Sequence, residues 1–473
     1  MSVINDLVNR ARNTVLNAIG VERDMETLLK DKDISKVKGL FLDFSEQVEE
    51  AMKEYDPEQH GVMIRPDKPR KNRDDYKVEK LPRTWQRYIN EVALFFLFGK
   101  PVKWTNNDKT GASDKAFEAF QNLLKETRFN SSMRETKRRA GSETISAKLY
   151  YPYRDEENNP HVKVIVLSKK DGYDLRPLFD QYKKLLALGY GYWLKEGDTS
   201  VEHFDILTPK TLYYCKRGMT GWVVEMKDNL VEKINAIVYI QDREWDGTQR
   251  RIERDEMLDS KTADTNNYFA DPMAAATTDV IRSLADPEAI GKLVILSSKD
   301  SEFKYIDPPT SSETREGEKK VNREAILNDS FTPDFSFESM KGLGTLSGEA
   351  IRRAMILGYI KRDNLKEIYE LAIDREKNLI IAIMKKVTHI SLAKELDKLD
   401  VSFEFSEPFD EDALAKMESI STALSAGAIS IETAVTMLGF VKDVGEEVEK
   451  IKNDKQQSNR SVPAGVEREA TQV

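Results

Sequence analysis

REWDGTQRRIERDEMLDSKTADTNNYF, residues 243–269, is the stretch on which the reading of this 473-residue sequence turns. Its residue types suit a helix, yet the apolar stripe is thin, limited to Trp245, Ile252, Leu258 and Tyr268. So narrow a stripe predicts a helix that does not sit in a monomer's core. Arg250 and Arg254 set against Asp246 and Glu253 suit a helix that crosses solvent or lies beside copies of itself. With Trp245 and Asp264, the two arginines are its candidate functional positions.

Outward from this stretch, Pro272 ends the helix, and residues 273–308 hold two short strand-like runs, 292–296 and 303–306, closed by Pro308 and Pro309. A second polar helix, rich in Glu and Lys, is predicted over 312–328. Two charged helices therefore flank a small β insertion. Residues 332–348, with Pro333, Gly342, Gly344 and Gly348, read as a loop, and Ser347 is a suitable N-cap for the next helix. Ile351, Met355, Leu365, Ile368, Ala372, Leu379, Ile383 and Val387 then keep a three-to-four spacing, which predicts the longest helix, about 60 Å at 1.5 Å per residue, with a bend permitted at Gly358. Residues 401–405 alternate like a strand. Short helices are expected over 410–452, separated by Gly427 and restarted at Ser430-Ile431-Glu432-Thr433, and the almost wholly polar residues 453–473 are expected to be disordered.

On the N-terminal side, Val3, Ile4, Leu7, Val8, Ala11, Val15, Leu16 and Ile19 predict an amphipathic helix over 2–19 that docks on the protein itself. The Pro- and Lys-rich residues 56–75 read as a surface connection. Residues 81–98 read as a helix stopped by Gly99 and Pro101, and residues 113–141 are helical again, with Arg134, Lys137, Arg138 and Arg139 either on a solvated face, the commoner arrangement, or in contact with phosphate. From 147 the period changes. A hairpin turns at residues 155–160, and further strands are expected near 190–194, 201–207 and 222–226. The fold class is α+β, mainly helical, with no internal repeat.

Composition narrows the function. The hydrophobic fraction is 40% and the charged fraction 33%, apolar enough to fold but with much charged surface left over. A net charge of −9 argues against tight general DNA binding, which favours a basic face. The single cysteine, Cys215, excludes a disulfide framework and reads as a buried structural thiol. Neither a signal peptide nor a membrane span is expected. The Gly-Lys pairs at Gly99 and Gly291 are followed by Pro101 and Leu293, so neither ends a phosphate-cradling loop. His60, His161, His203 and His389 are scattered, without metalloprotease or nucleophile-elbow spacing. An enzyme finds no positive support.

Four local patterns, in order, carry a resemblance. Residues 88–102 end in Gly99-Lys100-Pro101, and 241–272 contain Glu244-Trp245 and Asp264-Thr265-Asn266-Asn267-Tyr268-Phe269. Residues 346–351 read Leu346-Ser347-Gly348-Glu349-Ala350-Ile351, and Ile429-Ser430-Ile431-Glu432-Thr433 lies within 405–433. Together they resemble the portal proteins of long-tailed bacteriophages over about residues 80–450. The resemblance implies a portal fold: 1–240 as the N-terminal α+β part of the wing, 241–271 the first stem helix, 272–310 a small β-containing clip, and 311–330 the second stem helix. It makes 331–348 the tunnel loop, 349–405 the long wing helix and strand, 406–452 a helical crown and 453–473 a tail.

It further implies a homo-oligomeric ring, usually a dodecamer, at the portal vertex of the virion, assembled in the host cytoplasm, through which double-stranded DNA enters and leaves. Terminase and a head-completion adaptor would dock on the clip, major capsid and scaffold proteins on the wing; no cofactor, metal or membrane is involved. The residues facing DNA would be Phe335, Ser336, Phe337, Glu338, Ser339, Met340, Lys341, Gly342, Leu343, Gly344, Thr345 and Leu346, where Glu338 and Lys341 cancel in charge. A minor capsid or adaptor protein is the alternative, and a nucleic-acid-processing enzyme is a further one.

Overall fold

In the computed structural model the described residues are 18–69, 75–270, 273–277, 292–296, 298, 311–336, 352–409, 413–438, 445 and 448–451. The chain divides into two compact units, residues 1–334 with 355–408, and residues 335–354 with 409–473. At 49% helix and 22% strand it is the mixed, mainly helical chain that the sequence predicts.

The first unit opens with three helices, α1 (Ala18–Lys30), α2 (Ile34–Leu40) and α3 (Ser45–Tyr55). The Asp33 carboxylate caps α2 by accepting from the Lys36 N–H. Next come α4 (Trp85–Phe98), β1 (Lys103–Asn106), α5 (Asp114–Glu126) and α6 (Phe129–Glu143). The expected single helix over 113–141 is thus two. Arg128 adopts a left-handed φ of 49°, and the Thr127 hydroxyl donates to the Leu123 carbonyl, which closes the first helix and turns the chain into the second.

Two antiparallel sheets come next. One has the order β3–β2–β9, from β2 (Ile145–Arg154), β3 (Pro160–Leu167) and β9 (Ala236–Ile240). The hairpin β2–β3 turns where expected, the Asp155 carboxylate accepting from the Glu157 and Asn159 N–H groups. The other sheet runs β4 to β8 in sequence order: β4 (Asp174–Phe179), β5 (Leu185–Glu196), β6 (Thr199–Leu207), β7 (Thr211–Arg217) and β8 (Trp222–Asp228). Alternation decides its faces. Phe204, Ile206, Tyr213 and Cys215 point to α1 and α2, where they meet Met25, Leu29, Ile34, Val37 and Phe41, while Leu188, Tyr190 and Leu207 point to the first sheet and α3. Cys215 is buried and unpaired, and burial pushes its thiol up to about 12, as a structural cysteine requires.

The two charged helices are α7 (Gln249–Ala270) and α8 (Ser311–Asp329). Between them β10 (Met273–Thr277) and β11 (Lys292–Leu296) pair in parallel. The strand expected at 303–306 lies outside the described residues, as do residues 2–17 and 453–473. The long helix is α9 (Ile356–Ile383), 28 residues and about 42 Å; residues 352–354 before it are helical too, and the start expected before them lies outside the described residues. Its regular winding stops because Met384–Thr388 form a π turn, in which the His389 N–H reaches the Met384 carbonyl at 2.7 Å. The short α10 (Ala393–Leu396) and β12 (Val401–Glu404) complete the unit; β12 pairs with β1, nearly 300 residues earlier in the chain. Gly358 packs flat on α4: a Cβ there would come within 2.3 Å of the Phe96 ring, so its use is close approach of two helices. Around that contact, α4, α5, α6, β2, β9 and α9 enclose the largest apolar core.

The second unit contains α11 (Ala413–Ser425) and α12 (Ile431–Leu438). Gly427, at φ 68°, ends α11, with the Ala428 N–H reaching the Ala423 carbonyl. The Ser430 hydroxyl caps α12 by accepting from the Thr433 N–H, the start signal read in the sequence.

Candidate functional site: the paired charged helices

Helix α7 begins at Gln249, later than the sequence suggested. Residues 241–248 form a turn, with Gly247 at φ 81°, that fixes the helix to the body: the Gln241 N–H bonds to the Thr144 carbonyl and the Glu244 N–H to the Gly141 carbonyl. Trp245 belongs to this root. It is fully buried, its indole N–H donates to Glu54 at 2.7 Å, and its ring packs on Tyr55. Glu244 beside it is buried between two ammonium groups, Lys137 of α6 at 2.5 Å and Lys361 of α9 at 3.0 Å. Burial alone would raise its pKa; the two lysines outweigh that and hold the carboxyl at about 2. Lys137, expected on a solvated face, is therefore a core residue, while Arg138 and Arg139 pair with Glu91 and Asp171.

The expectation that α7 has no core to join in its own chain is overturned. One face is buried, and most of what it buries is polar: Asp255, Glu256, Ser260 and Asp264 beside Ile252 and Leu258. Residues 76–83 form a strap along this face, and from the surface connection expected over 56–75 the described His60 and Arg65 reach it as well. The Arg83 N–H donates to Glu256 at 2.8 Å, the Leu81 N–H to the Ser260 hydroxyl at 3.0 Å, and the Glu79 N–H to Asp264 at 2.8 Å. The register is a matter of geometry. Two residues of extended chain advance about 6.6 Å and four helical residues about 6 Å, so every second strap amide meets every fourth helix side chain, in antiparallel order.

Side chains reinforce the strap. Arg65 donates to Asp264 at 2.6 Å, Arg83 to Asp259 at 2.6 Å, and the Trp85 indole to Asp255 at 3.1 Å. His60 Nδ1 lies 2.6 Å from Glu256 and Nε2 lies 2.7 Å from the Glu54 carbonyl. A carbonyl only accepts, and the Glu256 oxygen already accepts from Arg83, so this arrangement uses both ring N–H groups of an imidazolium. Burial pushes His60 down, but these acceptors outweigh it and its pKa is raised. Burial likewise raises Asp264, and the Glu79 N–H and Arg65 outweigh it, leaving the carboxyl below its ordinary range.

The neighbouring side of α7, which shares Ile252 and Asp259 with the strapped face, meets α8. Arg251 pairs with Asp329 at 3.2 Å, Arg254 with Glu318 at 2.7 Å, and Asp259 with Lys319 at 2.8 Å, so the helices run antiparallel, with Ile252 and Ile326 buried at their root. Arg254 thus finds its partner on the second helix and not within its own, and Arg250 stays exposed. Each helix carries four basic and five acidic side chains, so neither presents a field of one sign. Of the predicted loop, Phe335 and Ser336 are described, without regular structure, and residues 337–346 lie outside the described residues.

Among the described residues no cluster of His, Cys, Asp or Glu is arranged to hold a metal ion, and no helix is long and apolar enough to cross a membrane. The sequence pattern of one family, phage portal protein, SPP1 Gp6-like, matches residues 30–461. The chain belongs to that family. Portal proteins are structural components of the phage particle, so the resemblance read from four short motifs extends over nearly the whole chain, including the strap residues that the motifs did not reach. No curated protein matches the sequence.

Proposed function

We propose that this portal protein forms a closed ring, usually of twelve subunits in such assemblies, with α7 and α8 as the stem lining a channel for double-stranded DNA. The observation that carries the reading, beside the family match, is the antiparallel pair of long helices with balanced charge, one face strapped to the body and the rest exposed. A channel that must let DNA slide gains from this balance, because a basic wall would hold the duplex through counterion release. The chain's net charge of −9 fits the same requirement.

Residues 272–310, between the stem helices, are the clip in this reading. They dock terminase during packaging and the head-completion adaptor afterwards, while capsid and scaffold proteins meet the wing; residues 335–346 face the DNA. Native mass spectrometry of the purified protein tests the ring. A single closed high-order species is expected, and monomers and dimers alone across a wide concentration range would overturn the proposal. Replacing 273–308 by a Gly-Ser linker is expected to abolish terminase pull-down with the body still folded.

A further inference from the structure

Both stem helices are rooted on one lysine. Lys361, in the second turn of α9, is buried, and its ammonium lies 3.0 Å from the Glu244 carbonyl oxygen, 3.0 Å from the Ser330 carbonyl oxygen and 3.0 Å from the Glu244 carboxylate. Its three N–H donors thus have three acceptors. Glu244 lies in the turn that leads into α7, and Ser330 directly follows α8. Neither carbonyl moves alone: the Glu244 N–H is held by the Gly141 carbonyl, and next to Ser330 the Thr332 N–H closes back on the Leu327 carbonyl.

Lys137 makes an instructive control. It binds the same carboxylate at 2.5 Å and is equally buried, but its other contact is the Asn90 side chain, not the backbone of either stem root. On α9 itself, the neighbouring Arg362 is anchored to the carbonyls of Phe405 and Ser406 and to Glu407. Lys361 therefore projects from a helix fixed at that level.

We propose that Lys361 is a positioning residue that sets the angle at which both stem helices leave the body, whereas Lys137 supplies only compensating charge. The inference takes the name of the stem from the proposed function, but its geometry stands within one chain.

The test uses full-length protein with spin labels at exposed positions of α7 and α9, through Glu253→Cys and Glu370→Cys, the buried Cys215 staying unlabelled. Labelled chains are diluted with unlabelled ones so that the distance read is within one subunit. Lys361→Met is expected to broaden the distance distribution about twofold, as expected when one root contact no longer fixes a helix. Lys137→Met, which also leaves Glu244 with one lysine, should keep the native width, and Lys361→Arg should regain most of it.

Equal broadening in the two Met variants, or none in Lys361→Met, overturns the proposal. Should Lys361→Met fail to fold, hydrogen exchange of the unmodified protein decides instead. The Glu244 and Thr332 amides are expected to open as one unit, with protection equal within about threefold, and protection differing by about a hundredfold overturns the proposal. Because both readouts also work on a monomer, absence of a ring contradicts the channel reading without touching this one.

Discussion

The two charged helices have the same census, four basic and five acidic side chains each, and opposite fates. Helix α7 buries Asp255, Glu256 and Asp264 under the strap, whereas α8 buries Asn322, Ile326 and Leu327 and leaves its charges mostly exposed. Charge content therefore does not decide which helix is solvated. What decides it is whether another segment offers N–H groups at matching spacing, since a buried carboxylate is tolerable only when its oxygens are satisfied. The extended residues 79–83 offer this to α7; across the α7–α8 contact no such row of amides is described, and the charges meet in ion pairs, those of Arg251 and Arg254 about half exposed, with Ile252 and Ile326 buried at the root.

The largest effect expected from this difference is at Glu256, which accepts from both His60 and Arg83. Glu256→Ala leaves buried donors without a partner, and the local opening free energy of the strap should fall by about 3 kcal/mol, so that protection of the Leu81 and Arg83 amides drops about a hundredfold. Protection unchanged there would mean that the strap is held otherwise.

Acidity sharpens the contrast. The pKa of His60 is raised, so its contribution is complete below about pH 6.5 and is lost as pH rises through the higher folded value. Asp264 is lowered, so its contribution is present above about pH 4 and is lost as pH falls through the lower folded value. Protection factors of the strap amides should therefore peak between these limits, and amides within α8 should not share the profile. A flat profile would contradict the imidazolium assignment.

The smallest effect is at the half-exposed pair of Arg254 and Glu318. Glu318→Ala is expected to cost no more than about 0.5 kcal/mol in chemical denaturation. A loss comparable with that at Glu256 would erase the distinction between the two sides of α7.

Local signals in the sequence reached far. Gly427 and Ser430 marked a helix end and a helix start, the turn at residues 155–160 marked the hairpin, and Trp222 to Met226 fell within a strand. What stayed illegible was long-range. Lys137 and Lys361 look like any surface lysines, and only the fold brings both to Glu244. Lys103–Asn106 is four residues with one apolar side chain, Trp104, too short to show alternation, and its pairing partner, nearly 300 residues away, leaves no local signal. The strap had a signal of its own, in that Glu256, Ser260 and Asp264 recur every four residues on one face of α7. A polar stripe of that kind reads as solvated until the extended chain that covers it is found.

The channel is the central claim, and a cryo-electron microscopy map of the purified ring tests it most directly. The account predicts an axial hole whose wall at its narrow level is built from residues 249–270 and 311–329, with the strap on the side of α7 away from the axis. A ring whose axis is lined by other segments, with α7 and α8 at the outer rim, would contradict it.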